Sequence, residues 1–215
     1  MQWAFYIGLC IPALPAGLSI FYWKLLNVPQ RWFGVLMVII TFLSVSGRIW
    51  AVFGPGNNLP FFHTYILVEF LMLMVVFAKL RTRILPLFGW WSLAVAFSLA
   101  WTWNVFWGEG WWGYPAHIHA LEAMILVMIA VAWFLSQFRR VEYQNIATTF
   151  EFWLCTGLLT YFCSNLLLFV FSTFIVAQNS RVFDAIWGTH ALLVILLYLL
   201  YTVAIAWAVK THRSS

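Results

Sequence analysis

The chain has 215 residues, of which 65% are apolar types and 8% are charged, with a formal net charge of +5. Ordinary soluble domains are about half apolar and about a quarter charged. A soluble fold of this size cannot hide so much apolar surface, so the expected solvent is lipid, and no chain is left over for a nucleotide-binding or kinase domain.

The positive balance does not point to nucleic acid, because membrane proteins place Lys and Arg for topology. Cutting the chain at its polar, Pro and Gly punctuation predicts seven helices, at residues 3–25, 32–53, 61–80, 84–107, 116–138, 146–176 and 182–209. The fold class is therefore all-α: a single polytopic domain over 1–215, a seven-transmembrane-helix bundle.

The first helix opens on Met1-Gln2-Trp3, without a positive n-region, and reads as retained rather than as a cleaved signal peptide. Pro12 and Pro15 predict a kink in it. Asn27-Val-Pro29 closes it, and the second helix ends at the Gly54-to-Pro60 segment. Only Arg81-Thr-Arg83 separates the third helix from the fourth. Gly108-to-Pro115, Arg139-Arg140 and Asn179-Ser180 divide the rest. Cys10, Cys155 and Cys163 lie in apolar stretches and show neither metal spacing nor a disulfide framework.

The basic residues set the expected orientation. Lys24, Arg31, Lys79, Arg81, Arg83, Arg139, Arg140, Lys210 and Arg213 fall on one side, leaving only Arg48 and Arg181 of the 11 Lys and Arg residues. The positive-inside rule makes that side cytoplasmic, with the N-terminus outside and the C-terminus inside. Many of the 15 tryptophans sit near predicted helix ends and read as an interface belt. The run Trp101-Thr-Trp103-Asn-Val-Phe-Trp107-Gly-Glu-Gly-Trp111-Trp112 is denser than a belt requires and reads as a lid or gate in the outer headgroup layer.

Titratable side chains inside a bilayer are expensive, and their default reading is functional. Arg48, His63, Glu69, Asn104, His119, Glu122, Asn165, Asp184 and His190 all map to the outer half of the predicted helices. The inner half holds mainly Glu151 and aliphatic residues. Tyr65 and Glu69 share a helix face, as do His119 and Glu122. The pattern predicts an outward-facing polar pocket between helices 3, 5 and 7. It also predicts Glu69 or Glu122 as the ion-pair partner of Arg48.

Several chemistries can be weighed against this set. A retinal Schiff base needs an intramembrane lysine, and the seventh helix has none before Lys210, so a standard rhodopsin is excluded. His119, Glu122 and His190 are candidate ligands for zinc or another divalent metal. His119 and His190 are also candidate axial ligands for a haem. Glu69, Glu122 and Glu151 are candidate proton carriers.

The segment Asn57-Asn58-Leu-Pro60-Phe-Phe-His63-Thr-Tyr65-Ile-Leu-Val-Glu69, with Tyr161-Phe-x-x-Asn165 and Trp187-x-x-His190, resembles small uncharacterised seven-helix membrane proteins of Bacteroidetes-type bacteria. The resemblance implies the fold and carries no established activity. The leading expectation is a sensor in the bacterial inner membrane, binding a small ligand or lipid and acting through a membrane signalling partner or a second copy of itself. The alternatives are a metal-dependent intramembrane enzyme on lipid-like substrates and a proton-coupled transporter.

Overall fold

The computed structural model describes residues 10–54, 56–80, 84–139, 145–170 and 180–214. Among the described residues there are seven α-helices and no strand: α1 (Ala13–Phe21), α2 (Val28–Phe53), α3 (Leu59–Leu80), α4 (Leu87–Trp107), α5 (Ala116–Phe138), α6 (Phe150–Val170) and α7 (Ser180–Ser214). Short 3-10 turns at Trp23–Leu25 and Ile146–Thr148 precede α2 and α6. Among the described residues, four helices are long and apolar enough to cross a membrane: Val28–Phe53, Leu59–Leu80, Ala116–Phe138 and the Ile186–Arg213 stretch of α7.

Local chemistry sets the boundaries. Pro12 stands at the N-cap of α1, so the expected kink is the start of the described helix. Pro15 falls in its first turn, where no backbone N–H is needed. α2 begins four residues earlier than periodicity predicts. Asn27 accepts from the Gln30 backbone at 3.2 Å, and Gln30 Oε1 accepts from the Asn27 backbone at 2.9 Å. This reciprocal capping box turns the apparent breaker Asn27-Val-Pro29 into a helix start. The narrow cut between the third and fourth helices stands, with Pro86 as the N-cap of α4.

The helices run up and down and close into a ring. α6 packs most broadly on α7 and α5, α2 packs on α3, and α1 bridges α2 and α7. α3 is the innermost helix: Ile66, Phe70, Leu73, Val76 and Phe77 are fully buried. Phe70 stacks on Phe97 at 3.8 Å and Phe77 on Trp90 at 5.5 Å, locking α3 to α4. Phe33 of α2 sits edge-on to Tyr201 of α7 and Phe150 of α6. α2 meets α1 where Gly34 lies against Ser19, so close that a Cβ there would stand 2.7 Å from the Ser19 Cβ. The outward helix faces stay apolar and open, as at Phe42, Leu99 and Met128. That inversion suits a lipid solvent better than water.

The two ends of the bundle differ. One gathers Lys24, Arg31, Lys79, Arg139, Lys210 and Arg213, with Arg213 over the Tyr22 ring and Thr211 near Thr148. The other carries the loop between α4 and α5, with its aromatic and acidic residues. These are the basic end and the cap end below.

Candidate functional site: a buried acidic cluster beneath an aromatic cap

At the cap end, the loop 108–115 folds over the bundle around one carboxylate. Glu109 Oε2 accepts from Asn104 Nδ2 at 3.0 Å, and Oε1 accepts from the His117 backbone at 3.0 Å. The His117 ring adds a 2.7 Å contact from Nδ1 to the same oxygen. Gly110 takes φ of +80°, a left-handed turn that favours glycine. A Cβ on Gly113 would run into the Glu109 carbonyl. The loop is pinned to α3 by His63, whose Nε2 donates to the Gly113 carbonyl at 3.0 Å and whose ring stacks on Trp111 at 5.7 Å. Trp101 Nε1 donates in turn to the His63 carbonyl at 2.9 Å. Tyr114 packs against Phe62 and Trp187. Burial, with the Glu109 charge adding to it, pushes the Tyr114 phenol above its ordinary range.

Beneath the cap lies Phe62, edge-on to His119 at 5.2 Å. His119 Nε2 stands 3.8 Å from Glu122 Oε2 across one turn of α5, and both side chains are sealed, at 2% and 0% exposure. That is ion-pair range and too long for a hydrogen bond. His190 lies within electrostatic reach of His119. Its Nδ1 is 2.9 Å from Asn165 Oδ1, while Asn165 Nδ2 donates to the Tyr161 carbonyl at 2.8 Å. Since the amide oxygen can only accept, His190 Nδ1 carries the proton, and a neutral ring presents Nε2 as an acceptor.

Glu69 of α3, 1% exposed, has the Tyr65 hydroxyl beside it. Glu122, Tyr161, Tyr198 and Tyr201 are also within its electrostatic reach. Tyr65 and Tyr198 share a hydrogen bond between hydroxyls at 3.0 Å. Glu69 Oε1, both carboxylate oxygens of Glu122 and the Tyr201 hydroxyl are buried without a hydrogen-bond partner. Neither acid has a Lys or Arg in ion-pair range among the described residues.

The sequence-predicted residues thus separate into groups. Glu69, His119, Glu122, Asn165 and His190 come together between α3, α5, α6 and α7. His63 and Asn104 are cap anchors rather than pocket walls. The side chain of Asp184 lies outside the described residues. Arg48 is a correction: among the described residues no ion pair joins it to Glu69 or Glu122, and its interaction lies elsewhere. The neighbouring Gly47 packs on Phe61 of α3, and Glu69 lies eight residues, about 12 Å, further along that helix. Among the described residues no three His, Cys, Asp or Glu side chains group closely enough to hold a metal ion. His190 is turned onto Asn165 of α6, while His119 faces Glu122 and the rings of Phe62 and Phe162.

Three residues escape a reading by motif. Tyr198 and Tyr201 stand three apart in an aliphatic run, and that spacing on one helix face is their only signal. Glu109 looks like an ordinary loop acid until Asn104 and His117 are seen to converge on it. Comparison of the chain with protein-family models, with curated proteins and with solved structures returns no match.

Proposed function

We propose that this is a seven-span protein of the bacterial inner membrane, with its N-terminus outside, that binds a small ligand under the 108–115 cap and reports occupancy to a membrane partner or a second copy. One observation carries the reading: two acids, Glu69 and Glu122, are enclosed with unpartnered oxygens among tyrosine hydroxyls. Buried polar atoms are rarely left unsatisfied, because each costs on the order of 1–3 kcal/mol. A ligand supplying donors to these oxygens removes that cost. The metal-dependent enzyme has less support, because among the described residues no three His, Cys, Asp or Glu side chains group closely enough to hold a metal ion.

The test is retention. Wild-type protein purified in mild detergent should release, on denaturation, a small molecule near one per chain by mass spectrometry, and E122Q and E69Q should not. Equal release from all three, or none from wild type, removes the ligand site.

A proton-coupled transporter is the second reading, favoured by the hydroxyls of Tyr65, Tyr198 and Tyr201 around Glu69, of which Tyr201 lies toward the basic end against Phe33. Proteoliposomes with a trapped pH dye separate the two. Transport predicts proton movement that E69Q abolishes, and a sensor predicts none.

A further inference from the structure

The unsatisfied groups of the acidic cluster are uneven in kind. Three oxygens, Glu69 Oε1 and both of Glu122, lack a hydrogen-bond donor, and the two acids are 1% and 0% exposed. They lie within electrostatic reach of each other, and the hydroxyls of Tyr161 and Tyr198 are each within reach of both. Tyr201 is a separate sign. Its side chain is fully buried, its hydroxyl has no hydrogen-bond partner, and Glu69 is the strongest charge acting on it. Gly157 of α6 holds that ring in place: a Cβ there would stand 3.0 Å from Tyr201 Cε1. Among the described residues no Lys or Arg pairs with either acid, and His119 Nε2, at 3.8 Å from Glu122, is beyond hydrogen-bond length. An enclosed carboxylate needs both an opposite charge and hydrogen-bond donors. An alcohol brings a donor without charge, and a quaternary amine brings charge without donors. A primary ammonium brings one positive charge, three N–H donors and no acceptor, which matches the three oxygens left open. The tyrosine rings around the acids also attract a cation.

We propose that the enclosed cluster takes a primary ammonium group, held by the carboxylates of Glu69 and Glu122 with the Tyr201 hydroxyl beside them. This ligand class rests on the ligand-binding reading above and narrows it from any small molecule to an amine. A divalent metal is a poorer match, since among the described residues no third His, Cys, Asp or Glu joins the two acids closely enough to hold one.

The test follows the thermal midpoint of detergent-solubilised protein at neutral pH, where an alkylamine is protonated. A cation that binds the folded state raises the midpoint by mass action. The probes are methylammonium, n-butylammonium and tetramethylammonium chlorides, 1-butanol and sodium chloride, the salts at equal ionic strength. A primary amine should stabilise wild type at concentrations roughly tenfold or more below those at which tetramethylammonium or sodium does so, and 1-butanol should not stabilise it. E69Q and E122Q should each raise the amine concentration needed roughly tenfold or more. The comparison of probes on wild type decides alone where a variant fails to fold. A stronger response to n-butylammonium than to methylammonium assigns an amine with an apolar tail, and the reverse assigns a compact cation. No response to either amine, a response that sodium or tetramethylammonium matches, or one that both folded variants leave intact overturns the proposal. The retention experiment separates the ligand class from the site. A released molecule that depends on both acids but carries no basic nitrogen overturns the ammonium and leaves the ligand site standing. No release together with no amine response removes both.

Discussion

Glu122 is the residue on which structure and function pull in opposite directions. Its carboxylate is fully enclosed with neither oxygen hydrogen-bonded, and His119 Nε2 stands 3.8 Å from it. A neutral isostere relieves part of that burial cost, so E122Q should raise the thermal midpoint of the unliganded protein, by about 1 kcal/mol or more in stability. A fall in midpoint would mark Glu122 as a structural group. Tyr65→Phe should do the reverse, since it deletes the hydroxyl pairing with Tyr198 and costs about 1 kcal/mol, checked by the same thermal assay. Much of this cluster was legible in sequence, because a Glu or His in a bilayer helix announces itself by its expense. The partner of Arg48 was not. Helical spacing gives depth and face along one helix, but pairing two helices also requires their relative register, which Gly47 against Phe61 sets here.

Helix boundaries follow caps more than hydropathy. Asn27→Ala should cost about 1 kcal/mol by removing half of the capping box, seen as a lower thermal midpoint. The signature Asn27-x-x-Gln30 was present in the sequence, yet Pro29 beside it reads equally as a break, and only the reciprocal bonds decide. α5 starts and ends where periodicity puts it, at Ala116–Phe138, because the Pro115 before it and the basic pair at Arg139 after it agree with the apolar run. The close crossing of α1 and α2 was not legible, since a lone glycine in an apolar helix gives no sign of which neighbour it admits. Gly34→Ala forces its new methyl against Ser19 and should destabilise the bundle by about 1–3 kcal/mol, with loss of yield as a parallel readout.

At the scale of the molecule, the unequal ends are the main feature. The basic end and the cap end alternate along the chain, and the described Lys and Arg side chains other than Arg48 fall at the basic end. A C-terminal reporter should therefore report cytoplasm and an N-terminal one the outside. Finding both on one side would require a different number of spans. The division of labour was visible as an asymmetry of polar residues, but its form was not. The sequence pattern implies a pocket open to the outside, whereas His119, Glu122 and Glu69 are all sealed beneath Phe62 and the cap.

The cap is fastened on two sides, by His63 from α3 and by the Glu109 bonds to Asn104 and His117. Neither fastening belongs to the acidic cluster below. On the proposed ligand-binding reading, entry and exit cross the same barrier, so the cap would govern how long a ligand stays rather than how tightly it binds. Loosening it with Glu109→Ala should speed association and dissociation by the same factor and leave the dissociation constant unchanged. Stopped-flow tryptophan fluorescence can check this, because Trp111 sits in the cap and Trp101 of α4 packs edge-on against it. On that reading, the time resolution of a response would be set in one loop and its affinity in another part of the chain.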